Sequence, residues 1–271
     1  MAQIRFGGLL AGVVSDVAAF ANGNFGLARQ SKGMSMNISS NKALAVAYIA
    51  FPLLVQGPFA ALAAGFQYPD VLRLPPARIL AAYAQGMAWL PLVWYLYGLT
   101  AMALVGAMVA LPEVLHAENP GWLRGASRLG VLAGLAAVVG LWRWVFAVPV
   151  LARLEEGQLG NAATLAFEMQ HLLLGNLVGE HVGQLLLAGW TAGVAISLGR
   201  GGKRLRFSGL VAAAFLAVGS YDALSPVFPV LAHLGEVPLI GFLLWSAWCV
   251  ALGVRLWRQS APGNQSPSEA R

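Results

Sequence analysis

One arginine stands where a charge is expensive. Arg143 sits in Leu141-Trp142-Arg143-Trp144-Val145 and is the sole charged residue between Leu129 and Ala152. A second set of polar groups falls in the apolar stretch Leu165 to Leu198, which carries Glu168, His171, Glu180, His181 and Gln184. Asp222 lies near the end of another apolar run. Ionisable side chains in such settings are costly unless paired, and by default they mark functional sites. A guanidinium can hold an anionic group, and a histidine with a carboxylate can act as a general base in hydrolysis.

Metal chemistry is a weaker reading of the same residues. Glu168 and His171 are three apart and could share an ion on one helix face. His181 lies ten residues past His171, about 80° round and some 15 Å along an α-helix, so the two histidines cannot share one metal. There is no His-Glu-x-x-His pattern, and the remaining histidines are His116 and His233. The single cysteine, Cys249, excludes both a disulfide framework and a cysteine-rich metal site. No nucleophile elbow, phosphate loop or dinucleotide fingerprint occurs. No metal and no cofactor is expected.

The elements that must position these residues are membrane helices. Only 10% of the 271 residues are charged and 58% are hydrophobic, with a mean hydropathy of +0.69. Soluble domains carry about a quarter charged residues, so lipid is this chain's solvent. Six apolar segments can each cross a hydrocarbon core about 30 Å thick: 43–66, 88–111, 129–152, 165–198, 207–224 and 237–254. The fourth is 34 residues long, roughly 51 Å at the α-helical rise. Its first two turns are expected to project from the membrane or lie along it.

The flanking charges orient these spans. With six crossings, thirteen lysines and arginines fall on one side and three (Arg73, Arg78, Arg153) on the other, with Arg143 left inside. The positive-inside rule then puts both termini in the cytoplasm. The net charge of +6 is explained by topology, and no nucleic-acid partner is expected. Residues 1–42 read as an N-terminal cytoplasmic or peripheral segment, 43–257 as the six-helix transmembrane domain, and 258–271 as a disordered cytoplasmic tail. Residues 6–20 are mildly apolar. They read as a peripheral segment, with a seventh span or sequence ahead of a start at Met34 or Met36 as the alternatives. No small-residue cleavage site follows them, which argues against a cleaved signal peptide.

On this topology Arg143 lies about nine residues below the outer end of its span and Glu180 about eight. A buried Arg143–Glu180 pair is therefore the expected contact, since pairing would offset the desolvation of both groups. Gly175, Gly179 and Gly183 recur at intervals of four and should form a small-residue stripe for close helix approach. Trp89, Trp94, Tyr95, Tyr97 and Trp122 read as interfacial anchors or packing residues. Arg143, Glu180, His181, Gln184, Glu168, His171 and Asp222 form the candidate binding cluster, in a polar cavity opening outward.

Three stretches resemble the DUF4386 family, a domain of unknown function in bacterial membrane proteins. They are Tyr68-Pro69-Asp70-Val71-Leu72-Arg73, Trp142-Arg143-Trp144 followed by Val148-Pro149-Val150-Leu151-Ala152, and Gly179-Glu180-His181-Val182-Gly183-Gln184. The resemblance covers roughly residues 43 to 250. It implies a multi-pass protein of the bacterial inner membrane and adds interest to Arg143, Glu180 and His181, but it assigns no activity.

The fold class expected is therefore all-α, a polytopic transmembrane bundle of six helices, or seven if residues 6–20 span. Three functions compete. The leading one is a protein that binds or moves a small solute or lipid through the outward-facing pocket. The others are an accessory subunit whose Arg143–Glu180 pair fixes packing, and an intramembrane hydrolase using His181 or His171 with a carboxylate. The expected partners are the bilayer and a small-molecule or lipid ligand. Oligomeric state has no signature in the sequence.

Overall fold

The computed structural model describes residues 38–260 apart from His116, Glu156, Arg200 and Gly201. The readings placed on residues 6–20 and on most of the tail lie outside the described residues. Apolar segments with few helix breakers become helices, and prolines mark several of their starts. Helix α1 spans Ile38–Phe66 and begins five residues ahead of the expected Ala43. A 3-10 turn, Asp70–Arg73, leads to the short α2, Pro76–Gln85, with proline at its first position. Next come α3, Leu90–Val114, and α4, Pro120–Phe146. The α4 start is capped by Asn119, whose side chain accepts from the Trp122 amide at 3.2 Å. Pro120 follows where a missing N–H costs nothing.

Two short helices follow, α5 (Val148–Glu155) and α6 (Gly160–Gln170). The chain then continues without a break into a π-helix, His171–Val182, and α7, Gly183–Ser197. Helix α8 is Lys203–Gly219, followed by 3-10 turns at Ser220–Leu224 and Pro229–Leu234, and α9 is Val237–Gln259. Arg258 and Gln259, assigned above to the tail, are the last helical residues.

Six helices close a ring in which α1 packs on α3, α3 on α4, α4 on α7, α7 on α8, α8 on α9 and α9 back on α1. A smaller cluster of α2, α5 and α6 caps one end. Beneath that cap lies a core of Leu62, Phe66, Ile79, Tyr83, Trp144 and Phe167 with their neighbours. Five helical stretches are long and apolar enough to cross a membrane: Asn41–Phe66, Leu90–Val114, Pro120–Glu155, Lys203–Leu224 and Val237–Gln259. The expected fourth span is not among them. It is helical from Gly160 to Ser197 but composite, with its first α-helix in the cap and a π-helix in the middle. Large apolar side chains point out of the ring, with Leu53 and Phe207 each 71% exposed. An apolar exterior of this kind needs lipid around it.

Candidate functional site

The π-helix changes the geometry read from the sequence. The Gly183 amide reaches back five residues to the Val178 carbonyl, a wider turn than an α-helix makes. Such turns are usually single and often lie at functional sites; this one runs for 12 residues. Its glycines face α4. A Cβ at Gly175 would lie 2.7 Å from Arg143 Cζ, one at Gly179 would lie 3.1 Å from the Gly140 Cα, and one at Gly183 would lie 3.5 Å from the Ala136 Cβ. The stripe is therefore a packing face, and at Gly175 it is also the slot that admits a guanidinium.

Arg143 is only 7% exposed. Its Nη1 donates to the Gly140 carbonyl, and its Nη2 lies 3.2 Å from His171 Nδ1. Guanidinium nitrogens only donate, so Nδ1 accepts and the neutral imidazole carries its proton on Nε2. Arg143 also lies against the Trp144 ring, with Cζ 5.2 Å from the centroid. The expected direct pair is thus replaced. Among the described residues no ion pair within 4.0 Å joins Arg143 to Glu180, although their charges act on one another. The group at the guanidinium is His171, nine residues before Glu180 and the first residue of the π-helix.

Arg143 and Glu180 instead line one cavity of about 230 Å³, together with Tyr68, Tyr97 and Gln184. Apart from Thr100, the rest of its wall is apolar and aromatic, including Phe51, Met108, Leu187, Phe242 and Trp245. Trp94 and Trp144 stack at 5.0 Å with planes 9° apart, and Tyr68 meets Trp94 edge-on at 5.3 Å. Tyr83 donates to the Trp144 carbonyl and so anchors that stack to the cap. Burial holds the Tyr68 hydroxyl protonated well above its usual range, reinforced by Tyr97 and Glu180 and opposed by Arg143. Arg143 Nε and Gln184 Oε1 are buried without a hydrogen-bond partner.

The remaining candidates separate. His181 Nδ1 lies 3.0 Å from the Ser220 carbonyl and must donate to it. With Asn176, which donates to the Ala223 carbonyl at 3.2 Å, it ties the π-helix to the turn after α8. Asp222 belongs to that turn and feels the charge of Arg73. Glu168 is exposed on α6 and does not line the cavity. His171 and His181 make no hydrogen bond to a carboxylate among the described residues, and these contain no group of three His, Cys, Asp or Glu placed to hold a metal.

Sequence reasoning passed over the aromatic wall. Trp94 and Tyr97 line the cavity, and Trp94 is 1% exposed, whereas Trp122 is 61% exposed as an anchor would be. The available signal was the three-residue spacing of Trp94 and Tyr97, which puts both on one helix face. The three family-like stretches also converge here: Tyr68 and Leu72, Arg143 and Trp144, and Gly179, Glu180, Gly183 and Gln184 all line the cavity.

Ring, cap and apolar exterior together define an all-α integral membrane protein with a charged, aromatic-walled cavity among its helices. No family model, curated protein or solved structure matches this chain.

Proposed function

We propose that this protein binds a small solute or lipid in the central cavity and moves it between that cavity and the outer face of a bacterial inner membrane. The observation that carries the reading is the cavity itself. Space reaches both Arg143 and Glu180, and neither charge is used up by an ion pair with the other. Groups whose role is packing alone would be expected to close on each other, because a buried charge left unpaired is destabilising. The thirteen-to-three split of basic residues supports an orientation with the capped end outside and both termini in the cytoplasm. Membership of the DUF4386 family belongs to the same proposal and rests on the three stretches that meet at the cavity.

One observation favours the accessory-subunit reading. Arg143 is already held by the Gly140 carbonyl, His171 and the Trp144 face. Thiol labelling separates the two. Cys249 is buried, so a Thr100→Cys variant places a reporter on the cavity wall over a low background. Impermeant maleimide added to intact spheroplasts should label it from the outer face. Protection from both faces of the membrane would favour the packing role.

A further inference from the structure

We infer that the ligand of the cavity is a small zwitterion of amino-acid or betaine size, its anionic end at Arg143 and its cationic end between Glu180 and the aromatic wall. This rests on the reading of the cavity as a binding site.

Size comes first. At about 230 Å³ the cavity is smaller than the roughly 300–1,000 Å³ pockets that take drug-sized ligands, which points to a small molecule. That is too little for a two-chain phospholipid. Charge comes second. The wall carries one guanidinium and one carboxylate, Arg143 and Glu180, and they do not form an ion pair. His171 is neutral where it accepts from Arg143. A simple anion entering this space meets Glu180, and a simple cation meets Arg143. A molecule with both charges satisfies both groups and leaves the cavity neutral.

The third observation is the placement of the aromatic rings. Tyr68 and Tyr97 line the cavity with Glu180, and aromatic rings near a carboxylate suit an ammonium or quaternary ammonium group, while Trp94, stacked against both Trp144 and Tyr97, backs them. Neither the Tyr68 nor the Tyr97 hydroxyl donates a hydrogen bond to the protein among the described residues, so both can serve oxygen atoms of the ligand. The apolar wall beyond, with Phe51, Met108 and Trp245, would take a hydrophobic side chain.

Matched probes test this on the full chain in lipid nanodiscs by isothermal titration. Three zwitterions are used: phenylalanine, leucine and glycine betaine. Two have singly charged partners, namely 3-phenylpropionate and 2-phenylethylamine, and 4-methylpentanoate and isoamylamine. At least one zwitterion should bind at least about tenfold more tightly than either matched ion. Glu180→Gln should remove that preference in favour of the anion, and Tyr97→Phe, which keeps the ring, should weaken zwitterion binding severalfold. If a singly charged probe binds as well as its zwitterion, the ligand class is wrong but the binding site stands. If no probe binds while Thr100→Cys is labelled, the zwitterion is excluded and an accessible cavity remains. If no probe binds and the cysteine is protected, both readings fall.

Discussion

Helix α4 meets the fourth apolar segment through glycines twice, with opposite results. Toward the capped end, Gly140 faces Gly179 backbone to backbone, and Gly175 makes way for the Arg143 guanidinium. Toward the other end, Gly121, Gly125, Gly189 and Gly193 border an open groove of about 580 Å³ beside the exposed Trp122. Gly193 meets the Ala126 side chain there, while nothing lies within 4 Å of a Cβ built on Gly125. The residue type is the same in both places. The difference is that a charged side chain is inserted at one contact, and the helix beside it has opened into a π-helix. Small residues permit close approach, but what occupies the space decides whether the contact becomes a seam or a site.

This contrast can be broken by substitution, with stability read from unfolding of the purified protein in mixed micelles. The largest effect is expected from Arg143→Gln, which removes one of two opposite charges at the cavity. A loss of about 3 kcal/mol is expected, partly restored in the double variant with Glu180→Gln. No recovery in the double variant would mean that the two charges are not coupled. Gly179→Ala should cost about 2 kcal/mol, since its methyl meets backbone that cannot swing aside. His171→Phe keeps a ring beside Phe167 and Trp144 but removes the acceptor for Arg143, and should cost about 1.5 kcal/mol. Gly125→Ala marks the other extreme. With open space around it, the change should be neutral or stabilising by up to about 1 kcal/mol. Equal losses at Gly125 and Gly179 would erase the distinction between the two contacts.

Part of the site was legible before the fold. Arg143 stands out because the apolar residues around it make its charge an anomaly, and Glu180 and Gln184 follow from their place in the next apolar segment. The common depth of Arg143 and Glu180 could be reckoned from helical rise, and Glu180 and Gln184 line the same cavity as Arg143. The direct pair could not be reckoned so well. It rested on depth reckoned with an α-helical rise, whereas the stretch that carries Glu180 is a π-helix and His171 is the residue at the guanidinium. Trp94, Tyr97 and Trp144 were harder still, since an aromatic residue near a helix end has the same composition whether it faces headgroups or a cavity.

The sequence alone determined the class of the molecule. With so few charges, the chain has to satisfy its backbone within helices and expose its apolar side chains to lipid. The distribution of lysine and arginine is likewise a one-dimensional property, from which an orientation can be argued. Tertiary structure decided the rest. The ring closes because α9 packs back on α1, and that closure places residues from distant segments around one space. Whether Arg143 is paired, stacked or open to a ligand depends on angles and distances of a few ångströms between helices. Spacing along the chain cannot resolve these, because a turn of π-helix and a turn of α-helix carry the same residues to different places.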